Sequence, residues 1–233
     1  MFRATPLRPM CDGTVVSTRK DRQSAFSRIY DTAYWGAEHL SGMGSTVEAT
    51  APVRAVIERV VVEHDIRSVT DVACGDMVWM PLVLERLRER GHPVAFTGCD
   101  IVPSLIEQHT ARFPALRFRQ LDLVSEPIPP ADLIICREVL QHLPVDDILD
   151  ALANISASGA RFLLTTIHLR RHGLRNRLNM KIGRCRDRNL LLPPFDLPNP
   201  LVIYPDTDGQ RDKFIGLWAL PFAGWSRGRR AQR

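Results

Sequence analysis

Four short apolar runs in the middle of the chain, Ser68–Cys74, Val94–Ile101, Arg117–Leu123 and Asp132–Cys136, each close on a carboxylate or a glycine turn. Strands that are apolar throughout, not on alternate residues, are buried on both faces. Helical patterning separates them. Thr46–Glu63 predicts a helix with Thr46 as N-cap and Val47, Val53, Val56, Ile57, Val60 and Val61 as its apolar stripe. Leu82–Arg90 predicts a second helix closed by Gly91, Pro103 opens a third, and Val145–Asn154 gives a fourth. Arg161–Ile167 is a fifth strand with Leu163, Leu164 and Ile167 suited to burial. After Pro193, Pro194, Pro198 and Pro200, Leu201–Tyr204 and Phe214–Leu220 read as an antiparallel pair at the sheet edge. The alternation predicts an α/β, Rossmann-like fold: a central, mostly parallel seven-stranded sheet with an antiparallel edge strand and helices on both faces. No internal repeat points elsewhere.

In such a sheet a ligand sits outside the carboxyl ends of the strands. The first strand ends in Asp71-Val-Ala-Cys-Gly75-Asp76, the second in Asp100-Ile101, the third in Asp122-Leu123, and the fourth in Cys136-Arg137-Glu138. An acidic residue some twenty positions beyond a glycine turn is where a ribose diol is held, so Asp100 after Gly75 indicates a nucleoside. A dinucleotide needs close-approach glycines for its pyrophosphate, and Ala73 and Met77 stand at two of those positions. A nucleoside carrying an amino acid needs less room and welcomes carboxylates near its ammonium. Asp122 is placed to accept from an adenine amino group.

The segment from about Ser68 to Ile167 resembles the S-adenosylmethionine-binding core of the class I methyltransferases, and departs from the common D-x-G-x-G-x-G pattern at Ala73 and Met77. A narrower resemblance covers about residues 26–220. A bacterial methyltransferase group associated with polysaccharide biosynthesis is similar in eight separated motifs. Here they are Ile29-Tyr30 to Trp35-Gly36, Ser41 to Thr46, Cys74 to Met80, Asp100 to Ile106, Cys136 to Leu143, Leu163 to Thr166, Pro193 to Pro200 and Asp212 to Trp218. The resemblance implies S-adenosylmethionine as cofactor and a sugar hydroxyl of an oligosaccharide, polysaccharide precursor or glycolipid as acceptor. The mannosides methylated by mycobacterial members of this kind are one specific acceptor. The expected cofactor residues are Trp35, Ser45, Thr46, Asp71, Ala73, Cys74, Gly75, Asp76, Asp100, Ile101, Asp122, Leu123 and Arg137. Trp35 with the Ser41–Thr46 loop would form a lid, whose backbone N–H groups and hydroxyls can contact a carboxylate or sugar. Arg170–Arg188 departs from the group, Arg-rich where its relatives are acidic, which leaves the acceptor open.

Methyl transfer to a hydroxyl needs a base for its proton, and a histidine titrating near neutrality serves. His142 is the first candidate, with Glu138 four residues earlier, or Asp132, to orient it if the segment turns helical. His168 is the second. No His, Asp and Glu spacing makes a strong metal site; a divalent cation held with the sugar stays open but is not predicted.

The net charge of +5 invites a nucleic-acid reading. The basicity is concentrated in residues 1–22, in the tail from Ser226 and in Arg161–Arg188, where nine Lys or Arg face Asp187 alone, while the remaining body is slightly acidic. That internal run reads as a solvated insertion or as a rim for an anionic acceptor. An amino-group methyltransferase of nucleic acids would carry N/D-P-P-Y/F after the fourth strand. Arg137-Glu138 stands there instead, so a nucleic-acid partner is not expected. A small-molecule methyltransferase and a non-catalytic module keeping the cofactor fold are the other readings. Five widely spaced cysteines without a C-x-x-C pair indicate reduced thiols, and with no signal sequence or apolar span a cytoplasmic location is expected. The expected organisation is a basic, disordered segment over 1–24, one domain over 25–222 and a basic tail over 223–233. Within the domain, 25–65 is lid and helix, 66–168 the cofactor core, 169–200 the acceptor-side insertion and 201–222 the edge strands. Homo-oligomerisation is left open.

Overall fold

The computed structural model describes residues 17–169, 176–206 and 212–227. The expectations for the first 16 residues, the end of the tail and the arginines between 170 and 175 lie outside them. Seven strands, β1 (Ser68–Val72), β2 (Ala95–Asp100), β3 (Arg117–Gln120), β4 (Leu133–Cys136), β5 (Phe162–His168), β6 (Val202–Pro205) and β7 (Lys213–Ala219), form one sheet in the order β3-β2-β1-β4-β5-β7-β6. β1 to β5 pair in parallel. β7 runs antiparallel to both β5 and β6, so the expected antiparallel strand is one position in from the edge and β6 covers it.

All four residues of β4 are fully buried, because helices cover both faces. Leu133 and Ile135 pack into one apolar layer with Val53, Ile57 and Val60 of α2 (Ala51–Glu63) and Val83 and Leu87 of α3 (Met80–Glu89). Ile134 and Cys136, one residue out of phase, pack into the other with Ile148, Leu152 and Ile155 of α5 (Val145–Ala157) and Trp218 of β7. Gly216 makes room for that indole: a Cβ there would stand 2.3 Å from the Trp218 ring. α4 (Pro103–Arg112) begins at its proline, as expected. Cys74, Cys99 and Cys136 are buried free thiols.

Two boundaries are corrected. Thr46 is not a helix N-cap: α2 begins at Ala51, where Pro52 suits the first turn, and Thr46 caps a preceding turn by accepting from Ala49 N–H at 3.0 Å. Residues 19–24 are not disordered. They open α1 (Arg19–Asp31), started by a reciprocal capping box between Thr18 and Asp21. A buried arginine fixes that helix to the body. Arg22 donates through Nε and Nη2 to Asp122 at 3.0 and 2.6 Å and through Nη1 to Asp147 at 3.3 Å.

Candidate cofactor and active site

The carboxyl ends of β1 to β4 open into a cleft of about 900 Å³, its mouth included, roofed by α1 and the 35–45 loop. Its floor is the turn after β1, where Ala73, Gly75 and Met77 adopt φ of 63°, 60° and 55°. The turn thus has the left-handed alternation of a glycine-rich loop with glycine at only one position. A Cβ on Gly75 would stand 2.6 Å from Ser41 Oγ. That close approach clips the roof to the floor: Asp76 N–H donates to Ser41 Oγ at 3.0 Å and Ser41 N–H to Asp76 Oδ2 at 3.1 Å.

Asp100, at the end of β2, accepts from Gly75 N–H at 3.1 Å and from Val102 N–H at 3.0 Å. The two bonds hold its carboxylate at the cleft wall with a further lone pair on each oxygen. Burial raises its pKa, and these N–H donors oppose the rise. Asp71, at the end of β1, is 4% exposed and accepts no hydrogen bond from any described residue. Burial and the neighbouring Asp100 charge push its carboxyl up to about 7, against the pull of Arg137. Arg137, just beyond β4, donates to Gly44 O at 2.9 Å and to Asp206 Oδ1 at 3.2 Å, while its buried Nε has no partner. A carboxylate and a guanidinium N–H, both short of partners, therefore line the cleft together with Asp100, whose charge acts on Asp71.

His142 lines the same cleft. It lies in the 3-10 turn Leu140–His142, its ring 4.7 Å from that of Trp35, and Nδ1 is 3.0 Å from Arg184 O. A carbonyl only accepts, so Nδ1 carries the hydrogen and Nε2 offers a lone pair. Burial lowers the imidazole pKa, outweighing the support of that hydrogen bond and of Glu138. The ring is neutral at neutral pH.

Trp35, Ser45, Asp71, Ala73, Cys74, Gly75, Asp76, Asp100, Ile101, Asp122, Leu123, Arg137, Glu138 and His142 all line the cleft. Thr46 does not: its hydroxyl is buried in its own turn. Asp122 lines the cleft but is not open to an adenine amino group. Arg22, Ser125 and Val124 N–H supply two donors to each of its oxygens, and these bonds outweigh burial to keep its pKa low. Glu138 does not share a helical face with His142. It sits at φ 58° and is held by Lys213 Nζ at 3.0 Å and by the Gln141 amide. Burial raises its pKa, but the charges of Lys213 and Arg137 prevail and keep it ionised. Asp132 is at the opposite end of β4, bonded to Ser68 and Arg161, and cannot orient His142. His168 is not brought to the cleft: Nδ1 accepts from Arg188 N–H and Nε2 lies 3.7 Å from Asp187. Ser41, in the expected lid loop, also lines the cleft, and cleft residues not anticipated from the sequence include Arg22, Phe26, Tyr30 and Trp79. Tyr30 belongs to the first motif and was findable there. Among the described residues no group of three or more His, Cys, Asp or Glu is placed to hold a metal, and no helix is long and apolar enough to cross a membrane.

A family model described as a methyltransferase domain matches residues 70–160. The chain is 33% identical over 98 residues to the trans-aconitate 2-methyltransferase of Rhizobium etli, covering 42% of this chain and 36% of that one. It is 32% identical over 158 residues to the ubiquinone biosynthesis O-methyltransferase of Xylella fastidiosa, covering 63% and 60%. It thus spans between about a third and three fifths of the length of these curated relatives. Among solved structures it is similar to the magnesium protoporphyrin IX methyltransferase of Synechocystis PCC 6803 with bound SAM, at a TM-score of 0.56 and 13% identity, covering 89% of this chain and 99% of that one. The sheet order and this likeness establish the Rossmann-like fold of the class I methyltransferases.

Proposed function

We propose that the protein is an S-adenosylmethionine-dependent O-methyltransferase whose acceptor is a sugar hydroxyl of a glycan or glycolipid, mannosides included. The observation that carries the cofactor reading is the pairing of an unbonded carboxylate, Asp71, with an unpartnered guanidinium N–H, Arg137 Nε, beside the ribose-type carboxylate Asp100. A zwitterionic amino acid attached to a nucleoside fits that set: ammonium to Asp71, carboxylate to Arg137, diol to Asp100. A pyrophosphate would meet Asp71 and Asp76 and be repelled.

When bound, the cofactor supplies a methyl group on a sulfonium. The acceptor oxygen forms the new C–O bond as the C–S bond breaks, leaving the neutral thioether S-adenosylhomocysteine. His142 Nε2 takes the hydroxyl proton, with Nδ1–H anchored on Arg184 O so that the ring keeps its orientation. Trp35, against that ring, offers an apolar face on which a pyranose can stack and excludes water from the transfer. Glu138, fixed and ionised, adds to the negative lining of the cleft that favours a sulfonium. The sugar part of the reading is supported by the eight sequence motifs.

Calorimetric titration with S-adenosylhomocysteine tests the cofactor step. Micromolar binding by the wild type is expected, weakened about 100-fold in Asp100→Ala, the loss of charge-assisted bonds to a diol. Asp100→Asn, of the same shape, separates this loss from local misfolding. His142→Asn should bind S-adenosylhomocysteine normally yet fail to methylate a mannoside panel. No binding by the folded wild type overturns the reading.

A further inference from the structure

The segment Lys181–Arg188 is lashed to the turn that carries His142. Gly183 N–H donates to His142 O at 2.9 Å, Arg186 N–H to Gln141 O at 3.0 Å, and Arg184 O receives the His142 ring N–H. Two arginine side chains therefore leave the backbone beside the proposed base. Arg184 is exposed and donates to Tyr34 OH at 2.8 Å, its guanidinium 5.9 Å from that ring. Arg186 is half-buried and pairs with no carboxylate among the described residues, and its buried Nε has no hydrogen-bond partner. A solvated charge run would keep its N–H groups in water, whereas a buried guanidinium N–H without a partner destabilises the fold. The carboxylates that act on Cys185, between the two arginines, are Glu138 and Asp187, and Glu138 is held by Lys213. Between 176 and 188 five Lys or Arg face Asp187 alone, and Asp187 lies against His168. Arg188, held by the carbonyls of Leu143, Asn176 and Leu178, is pushed down to about 10 by its burial and by the charge of Arg186.

We propose that the acceptor carries an oxyanion, carboxylate or phosphate, bound by Arg186 with Arg184 beside it, while a neighbouring hydroxyl of the same molecule is presented to His142. The proposal rests on the methyltransferase reading and narrows its substrate class. A guanidinium fork matches either oxyanion with two parallel N–H bonds, which an ammonium cannot do. An anion on the Arg186 guanidinium would offset the repulsion between Arg186 and Arg188. It would also hold the acceptor beside the turn that carries His142.

The test uses the full chain saturated with S-adenosylhomocysteine, whose own titration is read first. Three probes are compared by calorimetry: methyl mannoside, methyl mannuronoside and mannose 6-phosphate. At least one anionic probe is expected to bind about tenfold more tightly than the neutral one, equivalent to a single charge-assisted contact. The stronger of the two names the source of the oxyanion. Arg186→Gln should abolish the advantage and Arg186→Lys keep part of it. Arg184→Gln should cost less, with cofactor affinity unchanged in all three variants. An advantage that survives Arg186→Gln overturns the proposal. So does the absence of any advantage with cofactor binding intact, whether the three probes bind equally or none binds at millimolar concentration. Loss of wild-type S-adenosylhomocysteine binding overturns the methyltransferase reading itself, and this inference with it.

Discussion

Ala73 and Met77 share the left-handed backbone of Gly75, so their side chains are retained against a cost of about 1–2 kcal/mol each. Met77 has compensation, since it is 1% exposed and packs with Val53, Met80 and Val83 in the layer under α2 and α3. Ala73 lies at the cleft surface and has little. Ala73→Gly should therefore raise stability by about 0.5–1 kcal/mol, and Met77→Gly lower it by about 2–4 kcal/mol through its cavity. Urea midpoints at constant slope would show the opposite signs, and a destabilised Ala73→Gly would mean that the turn is not strained there. The same contrast marks what residues disclose alone. Asp71, Asp100 and Arg137 were legible because a strand end places whatever stands there at the cleft. The fate of Asp122 was not, because its saturation depends on Arg22, 100 positions earlier in the chain. His168 ends a strand as well, yet Arg188 N–H donates to its Nδ1, Asp187 lies 3.7 Å from its Nε2, and it does not line the cleft.

At the scale of elements, the strands and the core helices were readable, most directly β4, where double-sided burial forces a continuous apolar run, and least directly β3, whose RFRQ has no buried residue. Their ends were less so, β3 stopping at Gln120 and α2 starting five residues late. α1 was hidden because its sequence, RKDRQSAFSRIYD, has the composition of a solvated segment. What orders it is one arginine between two buried carboxylates, a tertiary fact with no periodicity to reveal it. Side-chain exposures of 4% for Arg22, 2% for Asp122 and 4% for Asp147 make this a buried ionic triad. Arg22→Met should cost about 3–5 kcal/mol by stranding two carboxylates, and adding Asp122→Asn and Asp147→Asn should recover much of it. Because α1 also supplies Phe26 and Tyr30 to the roof, Arg22→Met should weaken S-adenosylhomocysteine binding even where the sheet stays folded. Chemical denaturation and calorimetry on the single and triple variants check both parts. A single variant with wild-type stability would remove the triad as the anchor of α1.

Across the described residues the cleft lining gathers Asp71, Asp76, Asp100 and Asp122 at or just beyond the ends of β1 to β3, while Arg184, Arg186 and Arg188 lie where residues 181–188 meet the His142 turn. Net charge alone concealed this, since the +5 is concentrated in the termini and one internal run. One consequence is a linkage between protons, stability and cofactor. The Asp71 carboxyl titrates at about 7 in the fold and near 3.8 when unperturbed, burial being the largest cause. Between those values the folded chain holds a proton that the unfolded chain has released. The stability due to this group is therefore fully present below about pH 4 and is lost as pH rises to about 7, a falling slope that Asp71→Asn should remove. An ammonium at Asp71 reverses the preference, because the ionised carboxylate is then the favoured form. Cofactor binding below about pH 7 must then release a proton, and S-adenosylhomocysteine affinity should rise with pH toward that value and level off above it. Titrations at about pH 5.5 and 8 in buffers of different ionisation enthalpy measure both the affinity and the proton. A wild-type affinity that is flat with pH, or a proton release that persists in Asp71→Asn, would detach Asp71 from the cofactor's amino group.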